Sequence, residues 1–268
     1  MSPDTLVVIP CYNEAARLPL QSFDRFLAQT TGVGFLMVND GSHDDTLGLL
    51  QRFAEGYRGR VEVLDLQPNS GKAEAVRRGL LQAIDRGARF TGFWDADLAT
   101  PLETILEFRS VLVERPEVDW VLGARVRLLG RRIDRRTVRH WFGRVFATIA
   151  SLALGIAVYD TQCGAKLFRR DQALSLSLRE PFASRWFFDV ELIGRFLNLR
   201  RESGERTPEA RIVELPLQTW IDVAGSKLGA IDFVRAAWEL AGIWFRLRTG
   251  GRKQEVVRGS EAAIKSEE

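Results

Sequence analysis

Phe90-Thr91-Gly92-Phe93-Trp94-Asp95-Ala96-Asp97 carries an apolar, aromatic run straight into two carboxylates, and Leu98-Ala99-Thr100-Pro101 follow. In an extended strand alternate side chains share a side, so Asp95 and Asp97 project together from the strand's carboxyl end. Two like charges this close repel by roughly 4 kcal/mol at an effective dielectric of about 20, and a divalent cation is the natural way to keep both ionised. Hard oxygen ligands favour magnesium or manganese, which usually sit between a carboxylate and substrate phosphates. The other reading is a solvated Asp-rich turn ahead of a proline-started helix, so the rest of the chain decides.

Working outward, Leu6–Ile9, Phe35–Val38, Val61–Leu64, Phe90–Trp94 and Trp120–Leu122 read as strands. Helical patterns lie between them at Asp45–Tyr57, Lys72–Arg86 and Pro101–Glu114. That alternation predicts an α/β fold with a mostly parallel central sheet flanked by helices. Ligands of such sheets bind beyond the carboxyl ends of the strands. The polar clusters fall there: Pro10-Cys11-Tyr12-Asn13-Glu14, Asn39-Asp40-Gly41-Ser42 and the two aspartates. The second half predicts long helices at Asp134–Ile156, Phe187–Leu199 and Ala230–Arg248. Residues 1–248 are expected to form one domain, and the polar stretch 249–268 a disordered tail.

Composition sets bounds on function. The chain has 268 residues, 46% hydrophobic and 27% charged, which suits a soluble globular protein with a net charge of +3. Two cysteines, Cys11 and Cys163, supply no framework of bridges and no CxxC spacing, so a reducing compartment is expected. A zinc site is not expected, because His43 and His140 stand far from either cysteine. No basic stretch leads into an apolar signal core, and the longest uncharged run, Val145–Tyr159, is too short to span a bilayer. A cytoplasmic protein with at most a peripheral membrane relationship is expected.

Further residue patterns carry chemistry. Asp40 and Ser42 can cap a turn, yet a carboxylate at a strand end also accepts the imide N–H of a uracil or the N–H groups of guanine, while Tyr12 can stack on a base or ribose. Asn69-Ser70-Gly71-Lys72 opens a helix with a glycine and a lysine, a weak anion-binding signal that is not a Walker loop. Ser226 and Lys227 after Gly225 can bind a diphosphate, or form a loop with an exposed lysine. Asp189, among Phe187, Phe188 and Leu192, is either an acid favoured by a helix amino terminus or a general base of raised pKa. Arg125, Arg127, Arg131, Arg132, Arg135, Arg136 and Arg139 run into an apolar stripe of Trp141, Phe142, Val145, Phe146, Ile149, Ala153 and Ile156. Either an amphipathic helix lies at a membrane interface or a core helix carries a solvated basic end. Nucleic acid is not expected, since aromatics interleaved for base stacking are lacking.

Taken together, Val8-Ile9-Pro10-Cys11-Tyr12-Asn13-Glu14, Val38-Asn39-Asp40-Gly41-Ser42 with Asp44 and Thr46, Asn69 with Gly71-Lys72 and Ala75-Val76, and Asp95-Ala96-Asp97 resemble the family 2 glycosyltransferases in family order. These are inverting enzymes of the GT-A fold. Gly123-Ala124-Arg125, Asp160-Thr161-Gln162-Cys163-Gly164-Ala165-Lys166-Leu167-Phe168, Trp186–Leu192 and Gly225-Ser226-Lys227 are similar to dolichyl-phosphate β-glucosyltransferases. The resemblance implies transfer of glucose from UDP-glucose to a polyprenyl or dolichyl phosphate, with GDP-mannose as the rival donor. It implies that Pro10, Tyr12, Glu14 and Asp40 hold the nucleoside, with Lys72 and Ala96 in the donor site. Asp95 and Asp97 would take the sugar and a magnesium or manganese ion, Asp97 as the direct ligand, while Arg125 and Lys227 approach the phosphates. If the acceptor were a sugar hydroxyl, Asp189 would serve as the base. Asn39 stands where many relatives have a second Asp, and Ala165 where an aromatic is usual.

Overall fold

A computed structural model of the chain describes residues 3–134 and 147–221, together with 239, 242, 243, 245 and 246. Five strands and three helices appear where the alternation placed them. They are β1 (Thr5–Cys11), β2 (Val33–Asp40), α2 (Thr46–Gly56), β3 (Val61–Leu66), α3 (Lys72–Asp85), β4 (Phe90–Trp94), α4 (Thr104–Glu114) and β5 (Trp120–Ala124). An unanticipated helix, α1 (Leu20–Gln29), follows β1 and buries Phe23, Phe26 and Leu27. Beyond β5 come β6 (Arg132–Asp134), helical residues 147–154 (α5), β7 (Ala165–Arg169), α6 (Gln172–Ser177), α7 (Phe188–Glu202), β8 (Ile212–Pro216) and β9 (Thr219–Ile221).

The main sheet has the order β3-β2-β1-β4-β7-β5-β8. β1, β2, β3 and β4 are mutually parallel, as are β5 and β8. β7 runs antiparallel to both its neighbours, with Phe93 opposite Lys166 and Trp94 opposite Ala165. Because β7 is reversed, its first residues arrive at the edge where β4 ends. β6 and β9 form a separate parallel pair.

Period-two alternation divides the core between the two faces. Val7, Ile9, Phe35, Met37, Phe90, Trp94 and Leu167 pack with α1 and α4 through Phe23, Phe26, Ile105, Phe108 and Leu112. Val8, Leu36, Val38, Phe93, Trp120 and Phe168 pack with α3 and α7 through Val76, Leu80, Phe188, Leu192 and Phe196.

The helix expected at Asp134–Ile156 is corrected at both ends. Asp134 belongs to β6, paired with Ile221, and the helix stops at residue 154 before Gly155, whose φ is +69°. Its described turns are amphipathic: Ala150 and Leu154 join the α3/α7 core and Leu152 is exposed. Arg135, Arg136, Arg139, Trp141, Phe142, Val145 and Phe146 lie outside the described residues, as do Gly225, Ser226, Lys227, the tail 249–268 and most of Ala230–Arg248. No described helix is long and apolar enough to cross a membrane.

Candidate active site

The carboxyl ends of β1, β2 and β4, with the loop after β3, bring four of the anticipated clusters to one edge. Side chains tie the first two loops together. The Asn13 amide N–H donates to Ser42 Oγ (3.0 Å), the His43 N–H to Asn13 Oδ1 (2.9 Å) and the Glu14 N–H to Thr46 Oγ1 (2.8 Å). Asn13 adopts φ +52°, a conformation Asn tolerates better than most residues. Tyr12 stays 41% exposed beside His43, free to offer a ring face to a ligand, while Pro10 sits one residue inside β1 opposite Val38. The Glu14 carboxylate is occupied by Arg17 at 2.5 and 2.7 Å.

Asp40 proves to be a loop clamp. It is buried, and its carboxylate accepts the Ser70 N–H (2.8 Å), the Gly71 N–H (2.8 Å) and Asn69 Nδ2 (3.0 Å). That fixes the turn preceding α3, where Gly71 takes φ +89°. Asn39 Nδ2 donates to Asp65 Oδ1 at 2.7 Å, so the amide that replaces a second Asp makes a bond a carboxylate could not donate.

Asp95 leaves β4 and forms an ion pair with Lys72, the first residue of α3. Its amide N–H donates to the Gly164 carbonyl at 2.9 Å, and a Cβ on Gly164 would overlap the Asp95 carboxylate. Ala96 is buried in the α1/α4 core. Asp97 is exposed; its Oδ1 accepts the Ala99 N–H at 3.0 Å, and no other hydrogen bond to this carboxylate is found among the described residues. Crowding by the surrounding chain, then the like charges of Asp95 and Glu14, push its carboxyl above the ordinary aspartate range. An open carboxylate oxygen facing like charges fits a divalent cation, and Asp97 with Asp95 beside it is the set that suits one. Among the described residues no three acidic, His or Cys side chains surround a single point, so substrate oxygens would complete the shell.

Arg125, placed by β5, is committed to Asp160 through Nε (2.6 Å) and Nη2 (2.7 Å) and lies over the Trp220 ring at 5.2 Å. Burial opposes its charge, but Asp160 more than compensates and holds its pKa above the ordinary value. Asp189, in the first turn of α7, is buried and forms an ion pair with Lys166 at 2.7 Å. Burial pushes its carboxyl up while Lys166 pulls it down, and the net direction is upward. The sequence placed Asp160, Gly164 and Lys166 only within a stretch that resembles the dolichyl-phosphate β-glucosyltransferases and gave them no role in the site.

A largely parallel sheet with one reversed strand, and paired acids at the end of β4 beside Lys72, have the form of a nucleotide-sugar transferase of the GT-A kind. Residues 6–174 match the family described as glycosyl transferase family 2, and the chain belongs to that family. It is 30% identical over 260 residues to a dolichyl-phosphate beta-glucosyltransferase of Drosophila melanogaster, covering 91% of this chain and 75% of the relative. It is 26% identical over 251 residues to a polyprenol monophosphomannose synthase of Mycolicibacterium smegmatis, covering 91% and 90%. Among solved structures, glucosyl-3-phosphoglycerate synthase of Mycobacterium tuberculosis with Mn2+ and UDP-glucose shares the fold with a TM-score of 0.57 and 18% identity, covering 91% of this chain and 78% of that one.

Proposed function

We propose that this chain moves glucose from UDP-glucose to a polyprenyl phosphate at the cytoplasmic face of a membrane, inverting the anomeric carbon. The observation that carries the reading is the extent of the similarity to the glucosyltransferase, which takes in 91% of the chain and so reaches well past the donor edge. Tyr12 would stack on the nucleoside, with Pro10, Glu14 and Asp40 shaping the pocket floor. Asp97, aided by Asp95, would hold a magnesium or manganese ion, whose chemistry there is neutralisation of charge on the diphosphate. Lys72 sits at the amino terminus of α3, where its ammonium and the helix dipole favour the same diphosphate. Lys227 and the spare donors of Arg125 would steer the acceptor.

A phosphate monoester has a second pKa of about 6 and attacks as an anion, so its acceptor role calls for positioning rather than a base. The Asp189–Lys166 pair supports that choice, since a hydroxyl acceptor would need Asp189 free to take a proton. Membrane contact would come from the loop between β5 and β6, where Arg127, Leu128 and Leu129 are exposed, together with the exposed Arg132 that opens β6. Mannose from GDP-mannose is the second reading, favoured by the similarity across 90% of the mannose synthase.

The test supplies labelled UDP-glucose or GDP-mannose with polyprenyl phosphate, with and without Mn2+. Label from UDP-glucose entering the lipid phase only with metal is the expected result. Transfer from GDP-mannose alone overturns the donor, and a water-soluble product made without lipid overturns the acceptor.

A further inference from the structure

Lys166 is 1% exposed on a sheet face that is otherwise aliphatic and aromatic. It shares the parity of Phe168 on β7 and stands opposite Phe93, under the start of α7. A buried ammonium survives only when its donors are used. Here one points to the Cys163 carbonyl (2.5 Å), Asp189 Oδ1 lies at 2.7 Å as the opposite charge of an ion pair, and the ammonium lies over the Phe93 ring at 5.0 Å. Replacing such a pair with apolar side chains of similar volume is commonly neutral or stabilising, so stability does not explain its presence.

Its neighbours do. The peptide gripped at Cys163 continues into Gly164, whose carbonyl accepts the Asp95 N–H at 2.9 Å and whose bare Cα leaves room for the Asp95 carboxylate. On the other side Asp95 is held by Lys72, and Lys72 and Asp189 lie within electrostatic reach of each other. Asp95, Lys72, Asp189 and Lys166 therefore make a ring of alternating charge, closed by the Cys163–Gly164 backbone.

We infer that Lys166, together with Asp189, is a positioning residue of the transfer reaction, aiming Asp95 and Lys72 at the donor diphosphate without touching substrate. The inference rests on the donor site of the proposed function. It assigns Asp189 to Lys166 and Lys72 rather than to an acceptor proton.

The full chain is compared with Lys166→Met/Asp189→Leu, which keeps volume and removes both charges. Thermal midpoint, UDP affinity by calorimetry with and without Mn2+, and kcat for glucose transfer are measured. The expected variant melts within a few degrees of wild type and binds UDP without metal within about threefold. Its gain in UDP affinity on adding Mn2+ shrinks by about tenfold, and its kcat falls about thirtyfold. A variant that keeps the full Mn2+ gain makes the pair a core filler and overturns the inference. Equal losses with and without metal overturn it too, as general damage to the pocket.

Should the double variant not fold, Asp189→Asn preserves size and removes the charge facing Lys72. A drop in kcat of about tenfold supports positioning, whereas no change, or a loss beyond about a thousandfold typical of a lost base, overturns it. If wild type moves no glucose from UDP-glucose, the proposed function fails by itself, and the Mn2+ gain, measured with UDP or GDP, still decides this inference.

Discussion

At the scale of single residues, Gly164 and Asp97 show two ways in which one atom sets the chemistry. A methyl group at Gly164 would fall on the Asp95 carboxylate, which is already held from its other side by Lys72. Gly164→Ala is therefore expected to displace Asp95 and lower kcat by about a hundredfold, a size typical of a misaimed electrostatic group. Because Gly164 stands in a loop at the edge, circular dichroism and the melting curve should change little; a variant with full activity would show that Asp95 can move without consequence. Asp97→Ala removes the open carboxylate oxygen, and both transfer and its response to Mn2+ are expected to disappear. Retention of a Mn2+-dependent rate by that variant would place the metal elsewhere. Asp95, Asp97 and Lys72 were legible in the sequence because each stands where a strand ends or a helix begins. The roles of Gly164 and Lys166 were not, because their partners Asp95 and Asp189 are distant in sequence: the first contact exists only once β7 pairs with β4, the second only once α7 packs on the sheet.

At the scale of elements, β8 braces the loop that carries Asp160. Glu214 accepts the Tyr159 N–H at 2.8 Å and the Asp160 N–H at 2.8 Å, and Asp160 in turn holds Arg125. Burial pushes the Glu214 carboxyl above its ordinary value of 4.5, against the opposing pull of those two amide bonds. A carboxyl raised in the folded state binds its proton there before the unfolded chain does, so its contribution favours the fold at acid pH and is lost as pH climbs from about 4.5 through the raised value. Glu214→Gln takes away the buried charge and should gain on wild type as pH rises from about 5 to about 8. Melting curves across that range check this, and a constant difference between the two proteins refutes it. The elements themselves were readable where the pattern was regular: β1 to β5 alternate with α2, α3 and α4, and the period separates them. β7 escaped because Lys166 and Arg169 interrupt its apolar sequence, and α1 because Phe23, Phe26 and Leu27 are its only buried side chains.

At the scale of the molecule, the described candidate donor residues Tyr12, Lys72, Asp95 and Asp97 belong to one edge of the sheet, and under the proposed function the same edge is where the protein would meet a lipid. β5 runs in the direction of β4, since both are antiparallel to β7, so the loop after β5 emerges beside Asp95 and Asp97. That loop exposes Leu128 and leaves Leu129 wholly in solvent, flanked by Arg127 and Arg132. Exposed leucines between arginines suit an anionic bilayer, where each cation near the surface adds about 1 kcal/mol and each inserted side chain removes apolar area from water. Leu128→Asp/Leu129→Asp is expected to lower partitioning into vesicles rich in phosphatidylglycerol by about tenfold or more, and salt raised from about 0.1 M to about 0.5 M should weaken the wild type in the same direction. UDP affinity should stay at the wild-type level, because neither leucine belongs to the donor pocket. Sedimentation with such vesicles reads both effects. Partitioning unchanged by the two aspartates would move the membrane contact to another part of the surface and leave the donor site intact, so the lipid-facing and nucleotide-facing halves of the reading fail independently.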